Sequence, residues 1–242
     1  MLKTPTETEV PLAGGRTTCG VVRIGDTVRR PIGENSSFVH KLLNDLEEKK
    51  FQFAPKYLGM DEKGREILSF IDGVVPTDLG DFTHVQIKQG AEILSELHKI
   101  TESMTNNGEV ICHGDASPAN FVFKDGLPIA MIDFDAAHVG TLKEDVGYSS
   151  WLWSNLGFRT QNSRDIAEKL IAFLAGYKEF DRSVLVESIV DAQRILLERF
   201  TVELDEGKDM LAGIEWVTNC QQWLKHNGEK VEFYLSQEEI YN

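Results

Sequence analysis

The chain has 242 residues, with 39 acidic and 25 basic side chains and a formal net charge of −14, which argues against a nucleic-acid partner. With 41% hydrophobic and 26% charged residues it has the composition of a folded globular protein, long enough for one large domain or two packed lobes, and is neither disordered nor fibrous. Apolar runs such as Leu127 to Ile132 are far shorter than the roughly 20 residues that cross a bilayer, so no membrane partner is expected.

The opening stretch MLKTPTETEV lacks the apolar centre of a secretory signal, so a cytoplasmic location is expected. Short β-like stretches follow, Val10 to Leu12, Val21 to Ile24 and Thr27 to Arg30, separated by Gly14-Gly15 and Gly25-Asp26. They predict a three-strand meander closed by Pro31. Asn35, Ser36 and Ser37 offer caps for a helix whose Phe38, Leu42, Leu43 and Leu46 share one face. Glu66 to Ile71 reads as a further strand. The pattern then turns helical from Thr83 to Ile100, with Ile87, Ala91, Leu94 and Leu97 on the buried side.

Two short strands, Phe121 to Phe123 and Ile129 to Ile132, flank the turn Lys124-Asp125-Gly126. Beyond about Asp145 the chain reads as helices, with core stripes at Ile166, Leu170, Phe173 and Tyr177, at Leu185, Ile189, Ala192, Leu196 and Phe200, and at Met210, Ile214, Val217 and Leu224. The charge is uneven. Residues 1 to 80 hold 12 acids against 11 bases, and residues 81 to 242 hold 27 against 14, a difference of −13. Either these acids solvate helix faces or they draw in a cationic ligand. Cys19, Cys112 and Cys220 are too far apart for a disulfide framework or paired zinc motif, and the six histidines show no HxxxH or HExxH spacing.

Chemistry concentrates in His113-Gly114-Asp115-Ala116-Ser117-Pro118-Ala119-Asn120, followed thirteen residues later by Asp133-Phe134-Asp135. The spacing His-x-Asp-x-x-x-x-Asn plus Asp-Phe-x is that of kinase-type phosphotransferases. Phosphoryl transfer demands positioning and charge neutralisation more than covalent chemistry. Mg2+, which prefers hard oxygen donors, would be held by Asn120 and Asp133. Asp115 can face an acceptor hydroxyl as general base. His113 braces the loop by hydrogen bonds. Asp135 is either a second metal ligand or the cap of the turn that follows, and Asp145 is expected to hold the catalytic loop by accepting backbone N–H groups.

In the segments ICHGDASPANFVF, AMIDFDAAHVG, EDVGYSSW, EILSFIDG and GDTVRRP the sequence resembles the aminoglycoside phosphotransferase family, the small-molecule branch of the protein-kinase-like fold. The resemblance implies an α+β chain of two lobes, a small β-rich nucleotide-binding lobe at 1–73 and a larger, mostly helical lobe for catalysis and acceptor binding at 74–242. It implies ATP or GTP as donor, Mg2+, and a hydroxyl-bearing small molecule as acceptor, acting in a monomer or homodimer. Carried over by position, Asp115 is the base, Asn120 and Asp133 are metal ligands, and Leu68 to Ile71 form the hinge, with Ser69, Phe70 and Ile71 against the base of the nucleotide. Gly14, Gly15, Thr17 and Thr18 correspond to the phosphate-covering turn, although without GxGxxG they fit a plain hairpin equally well.

Two departures stand out. Arginine replaces the phosphate-binding lysine, with Arg30 the first choice by strand alternation and Arg29 the alternate. Ser36 to Asn44 holds no acid to partner it, so His40 or water would have to serve. The expected function is transfer of a γ-phosphoryl group to a small hydroxyl compound, a cationic one such as an aminoglycoside or choline-like amine suiting the charge. The alternative is a catalytically silent kinase-like binding module. Gly114 in place of the arginine that reads a phosphorylated loop, and the lack of Ala-Pro-Glu after Asp133, argue against a protein kinase.

Overall fold

The computed structural model describes residues 8–12, 20–157 and 162–237. Gly14, Gly15, Thr17 and Thr18 lie outside them, as does Cys19. An antiparallel five-stranded sheet opens the chain, with strands β1 (Val10–Pro11), β2 (Val22–Ile24), β3 (Thr27–Pro31), β4 (Tyr57–Met60) and β5 (Arg65–Ser69) in the order β1-β2-β3-β5-β4. The expected meander is present. The strand expected over Glu66 to Ile71 runs instead from Arg65 to Ser69, and β4 joins its outer edge. The β3/β5 register sets Arg30 directly opposite Glu66, and the site depends on that pairing.

Helix α1 (Ser36–Glu48) packs beside the sheet through Val39, Leu42, Leu43 and Leu46. Asn35 stands at its N-cap but makes no side-chain cap bond. Its amide donates to the carbonyls of Asp135 and Ala137 instead, 2.9 Å from each. The linker is stitched down at Val74, whose N–H and C=O both bond Phe123 at 2.8 and 2.7 Å. Helix α2 (His84–Glu102) starts at a capping box between Thr83 and Gln86 and buries Ile87, Ala91, Leu94 and Leu97 completely.

Two small antiparallel pairs then frame the motif loops. Strand β6 (Val110–Cys112) pairs with β9 (His138–Gly140), and β7 (Phe121–Lys124) pairs with β8 (Leu127–Met131). The loop 113–120 leaves β6 and enters β7, while the segment 132–137 leaves β8 and enters β9. Both therefore emerge side by side. Helices α3 (Leu142–Ser154), α4 (Ser163–Gly176), α5 (Leu185–Asp205) and α6 (Leu211–Ser236) complete the chain. Helix α3 packs on α5, α4 on α2, and α6 on both α4 and α5. Ile166, Leu170 and Phe173 are fully buried, as their spacing predicts. One continuous apolar core runs from α1 to α6 around Trp151 and Trp153. Among the described residues, no helix is long and apolar enough to cross a membrane.

Candidate active site

The loop after β6 is held from below by one buried carboxylate. Asp145, in the first turn of α3, accepts the backbone N–H of His113 at 2.7 Å and of Gly114 at 3.0 Å. His98 of α2 contacts the same carboxylate through Nε2 at 3.0 Å, and its Nδ1 lies 2.6 Å from the Tyr177 hydroxyl. The tautomer that satisfies all partners carries its proton on Nε2 and accepts from Tyr177. Burial alone would push the Asp145 carboxyl up, but the bonds from His98 and His113 outweigh it and hold the group below its ordinary value. The loop-bracing role expected of Asp145 is the one it takes.

His113 is fully buried and braces the loop from within. Its Nδ1 accepts the Asp115 N–H at 3.3 Å, so Nε2 donates to the Ile132 carbonyl at 3.1 Å, tying the loop to the end of β8. The ring leans on Phe134, with centroids 4.5 Å apart. Gly114 has φ +76, and a Cβ there would overlap the Ala136 carbonyl oxygen. Glycine is thus required twice, for conformation and for the close approach of the two loops.

These braces present Asp115. Its Oδ1 accepts from the Tyr148 hydroxyl at 2.8 Å, and its backbone carbonyl accepts from the Asn120 amide at 2.9 Å. Burial raises the Asp115 carboxyl; Tyr148 and His113 pull it back, the charge of Asp133 adds to the rise, and the net displacement is upward. Asn120 spends its amide nitrogen on Asp115, which leaves its side-chain oxygen as the atom available to a cation. The Ile132 N–H bonds the Asn120 carbonyl at 2.9 Å and so sets Asp133 beside Asn120. Asp133 itself adopts φ 64 and ψ 64, a left-handed conformation that aspartate takes more readily than most residues and that turns the chain sharply into the next helical turn.

Arg30 reaches this acidic pair from β3. Its guanidinium is buried and bonds Asp133 at 3.1 Å and also Asp135, while its Nε is ion-paired to Glu66 at 2.8 Å. Burial works against its charge, but Asp135, Asp133 and Glu66 together stabilise it and raise its pKa. Glu66 in turn lies 2.6 Å from His40, whose ring stacks on Tyr57 at 3.9 Å. The acid missing from α1 is therefore supplied by β5, and His40 supports that acid instead of replacing it. Arg29 points to the other side of the sheet, 2.5 Å from the Thr27 hydroxyl and 3.9 Å from Asp61. The carboxylate of Asp135 goes to Arg30 and caps no turn.

In the segment expected to form the hinge, the Ser69 N–H donates to the Lys56 carbonyl and its hydroxyl accepts the Lys56 N–H, each at 2.9 Å, and the Phe70 N–H bonds the Asp26 carbonyl at 2.9 Å. The Arg23 guanidinium covers the Phe70 ring, 3.7 Å from its centroid. Ile71 follows, half-buried. The site thus gathers Asp115, His113, Asn120, Asp133, Asp135 and Arg30. Sequence reasoning missed Glu66, Tyr148 and His98. Tyr148 lies one helical turn after Asp145 and could have been found from that spacing. Glu66 showed only as an acid among the apolar residues of a strand.

The oxygen donors suit Mg2+. Three carboxylates surround the single guanidinium of Arg30, leaving acid in excess, and the side chains of Asp133 and Asp135 remain 36% and 46% exposed, open to a cation.

Residues 83–182 match the family model described as the phosphotransferase enzyme family. The chain is 30% identical to the trifolitoxin immunity protein of Rhizobium leguminosarum bv. trifolii, over 92% of this chain and 97% of that one. Among solved structures, a choline kinase from Streptococcus pneumoniae aligns with a TM-score of 0.59 at 14% identity, covering 89% of this chain and 90% of that one. A choline/ethanolamine kinase family protein from Mesorhizobium loti gives 0.58 at 13% identity, covering 89% and 87%. A spectinomycin phosphotransferase in complex with ADP and spectinomycin gives 0.56 at 13% identity, covering 95% and 93%. The fold is accordingly the protein-kinase-like one, a β-sheet region followed by a larger helical part, and the chain belongs to the phosphotransferase enzyme family that includes the aminoglycoside phosphotransferases.

Proposed function

We propose that the protein transfers the γ-phosphoryl group of ATP or GTP to a hydroxyl of a small molecule, and that the acceptor carries positive charge. The observation that supports this most is Asp115. It is a half-buried carboxylate with a raised pKa, aimed by Tyr148 and Asn120 and lying next to Asp133. A carboxylate so placed accepts the proton of an acceptor hydroxyl as the oxygen attacks phosphorus. Its partners fix the direction of its lone pairs, and positioning supplies most of the catalysis in phosphoryl transfer.

Asn120, Asp133 and Asp135 would hold Mg2+, which when bound neutralises charge on the phosphate oxygens. Arg30, braced by Glu66 and His40, exchanges its contacts with Asp133 and Asp135 for phosphate oxygens, to which an arginine fork binds bidentately. His113 and Asp145 act one step removed, keeping Asp115 where it is. The excess of 27 acids over 14 bases beyond residue 80 favours a cationic acceptor. Single-turnover transfer from labelled nucleotide should be sought across choline, ethanolamine, aminoglycosides, spectinomycin and, given the relative's name, trifolitoxin. Asp115→Asn should slow transfer at least about a hundredfold. Equal inertness of wild type and variant across that panel would refute the reading.

A second reading, a silent nucleotide- or ligand-binding module, draws on the Arg30 cluster, in which the phosphate-binding residue is already engaged by three carboxylates. It calls for a rise in melting temperature with Mg-ATP or Mg-GTP, unaccompanied by turnover.

A further inference from the structure

A second convergence of reactive side chains lies behind the loop that carries Asp115 and includes none of the residues assigned to phosphotransfer. Strands β6 and β9 pair so that Cys112 stands opposite His138, and such partners project to the same face. Glu144 reaches back from the first turn of α3, where its Oε2 accepts the Thr141 N–H at 2.9 Å. The donor atoms of Cys112, His138 and Glu144 all lie within 4.8 Å of one another. They face the bare Cα of Gly140. A Cβ there would overlap the Glu144 carboxylate and sit 3.0 Å from the Cys112 sulfur and 3.1 Å from His138 Nε2, so this glycine keeps the space between the donors clear.

The histidine is also in the right tautomer. Its Nδ1 lies 2.9 Å from the Ala136 carbonyl, to which it donates, and this leaves the lone pair on Nε2 facing the sulfur and the carboxylate. A backbone carbonyl that fixes the outer nitrogen is the usual support of a metal-ligating imidazole. The three side chains open onto a cavity of about 280 Å³ that Tyr148, Leu196 and Arg199 also line. This gives an ion an entrance and room for a further ligand.

We propose that Cys112, His138 and Glu144 bind Zn2+, with a fourth position open to the cavity for water or an anionic donor beside Arg199. One thiolate, one imidazole and one carboxylate form a borderline-soft set that suits zinc and excludes magnesium and calcium. On binding, the Cys112 S–H bond breaks, its proton passes to solvent and the sulfur bonds the ion. Zinc bonds of about 2.0–2.3 Å require tetrahedral donors roughly 3.5 Å apart, so the exposed His138 and Glu144 side chains close by about an ångström on the buried sulfur. The spacing of the cysteines and histidines along the chain gave no sign of this, because strand pairing, not a short repeat, brings the ligands together.

The test titrates the full chain, stripped with chelator, with Zn2+ against a chromogenic competitor, and with Co2+ as a spectroscopic substitute. One Zn2+ should bind per chain, and Co2+ should give a near-ultraviolet thiolate charge-transfer band. His138→Ala, which changes an exposed side chain, should weaken Zn2+ binding by more than the roughly 10–100-fold that loss of an outer-shell partner costs. Cys112→Ser should abolish the cobalt band. His226→Ala, on α6, should alter neither. Binding by wild type that His138→Ala leaves unchanged, a cobalt complex without the thiolate band, or no zinc uptake at all would overturn the proposal.

Discussion

Replacing Asp145 by asparagine tests whether the loop at 113–120 hangs on one carboxylate. Three N–H donors converge on it, from His113 at 2.7 Å, Gly114 at 3.0 Å and His98 at 3.0 Å, and its side chain is 1% exposed. An asparagine keeps one acceptor oxygen and turns an NH2 toward donors, leaving at least one buried N–H unpaired. Hydrogen bonds to a charged group contribute about 1.5–3 kcal/mol each, and breaking a buried charged network costs about 3–5 kcal/mol. A loss of about 3–5 kcal/mol is therefore expected. For a chain of this size it corresponds to a fall in melting temperature of about 6–20 °C. Tryptophan fluorescence can follow the unfolding, because Trp151 and Trp153 are buried in the core, Trp151 stacked on Trp216 of α6 and Trp153 against Gly90 of α2.

The same carboxylate makes a pH prediction. Its folded pKa lies below its ordinary value, so its contribution is complete above the unfolded value of about 3.9 and fades as pH falls through the folded one. Wild type and Asp145→Asn should differ most above about pH 4 and converge in acid. A loss under about 1 kcal/mol at neutral pH, or a difference that does not narrow in acid, would refute the reasoning.

Tyr148→Phe removes a bond that lowers the Asp115 pKa, so the acidic limb of the pH–rate profile should move to higher pH; an unmoved limb would dissociate Tyr148 from the base. Gly114→Ala, at φ +76 and against the Ala136 carbonyl, should cost about 1–3 kcal/mol in strain and more than that in transfer rate, read by paired melting and kinetic measurements. Glu66→Gln takes the most buried of the three carboxylates from Arg30, which keeps Asp133 and Asp135, and should destabilise the chain by about 1–3 kcal/mol in urea denaturation, with His40→Ala having a smaller effect.

The helices were legible because each displays its buried stripe within one segment, as Ile166, Leu170 and Phe173 do in α4. Strands β4, β6 and β9 were not. Each has only three or four residues, too few to alternate visibly, and β6 and β9 are strands only because they find each other across 25 intervening residues. The same division runs through the site. Asp115, Asn120, Asp133 and Asp135 lie within 21 residues, so their spacing carried the chemistry. Glu66 joins them through strand register, which leaves no short motif, and Tyr148 through the packing of α3 beneath the loop, signalled only by its one-turn spacing from Asp145. An arginine without an acid in α1 looked like a defect in the sequence; in three dimensions the acid stands on the neighbouring strand.

Asn35 gives the architecture a mechanical property. It stands at the root of a helix anchored by Val39, Leu42, Leu43 and Leu46, yet its amide grips two carbonyls of the segment that carries Asp133 and Asp135. Any rocking of the sheet and its helix against the rest of the molecule must tug on that segment or tear the amide away. A displacement of α1 and a reshaping of the acidic segment are thus geared together, so that under the proposed function the carboxylates meant for the metal cannot shift without the helix.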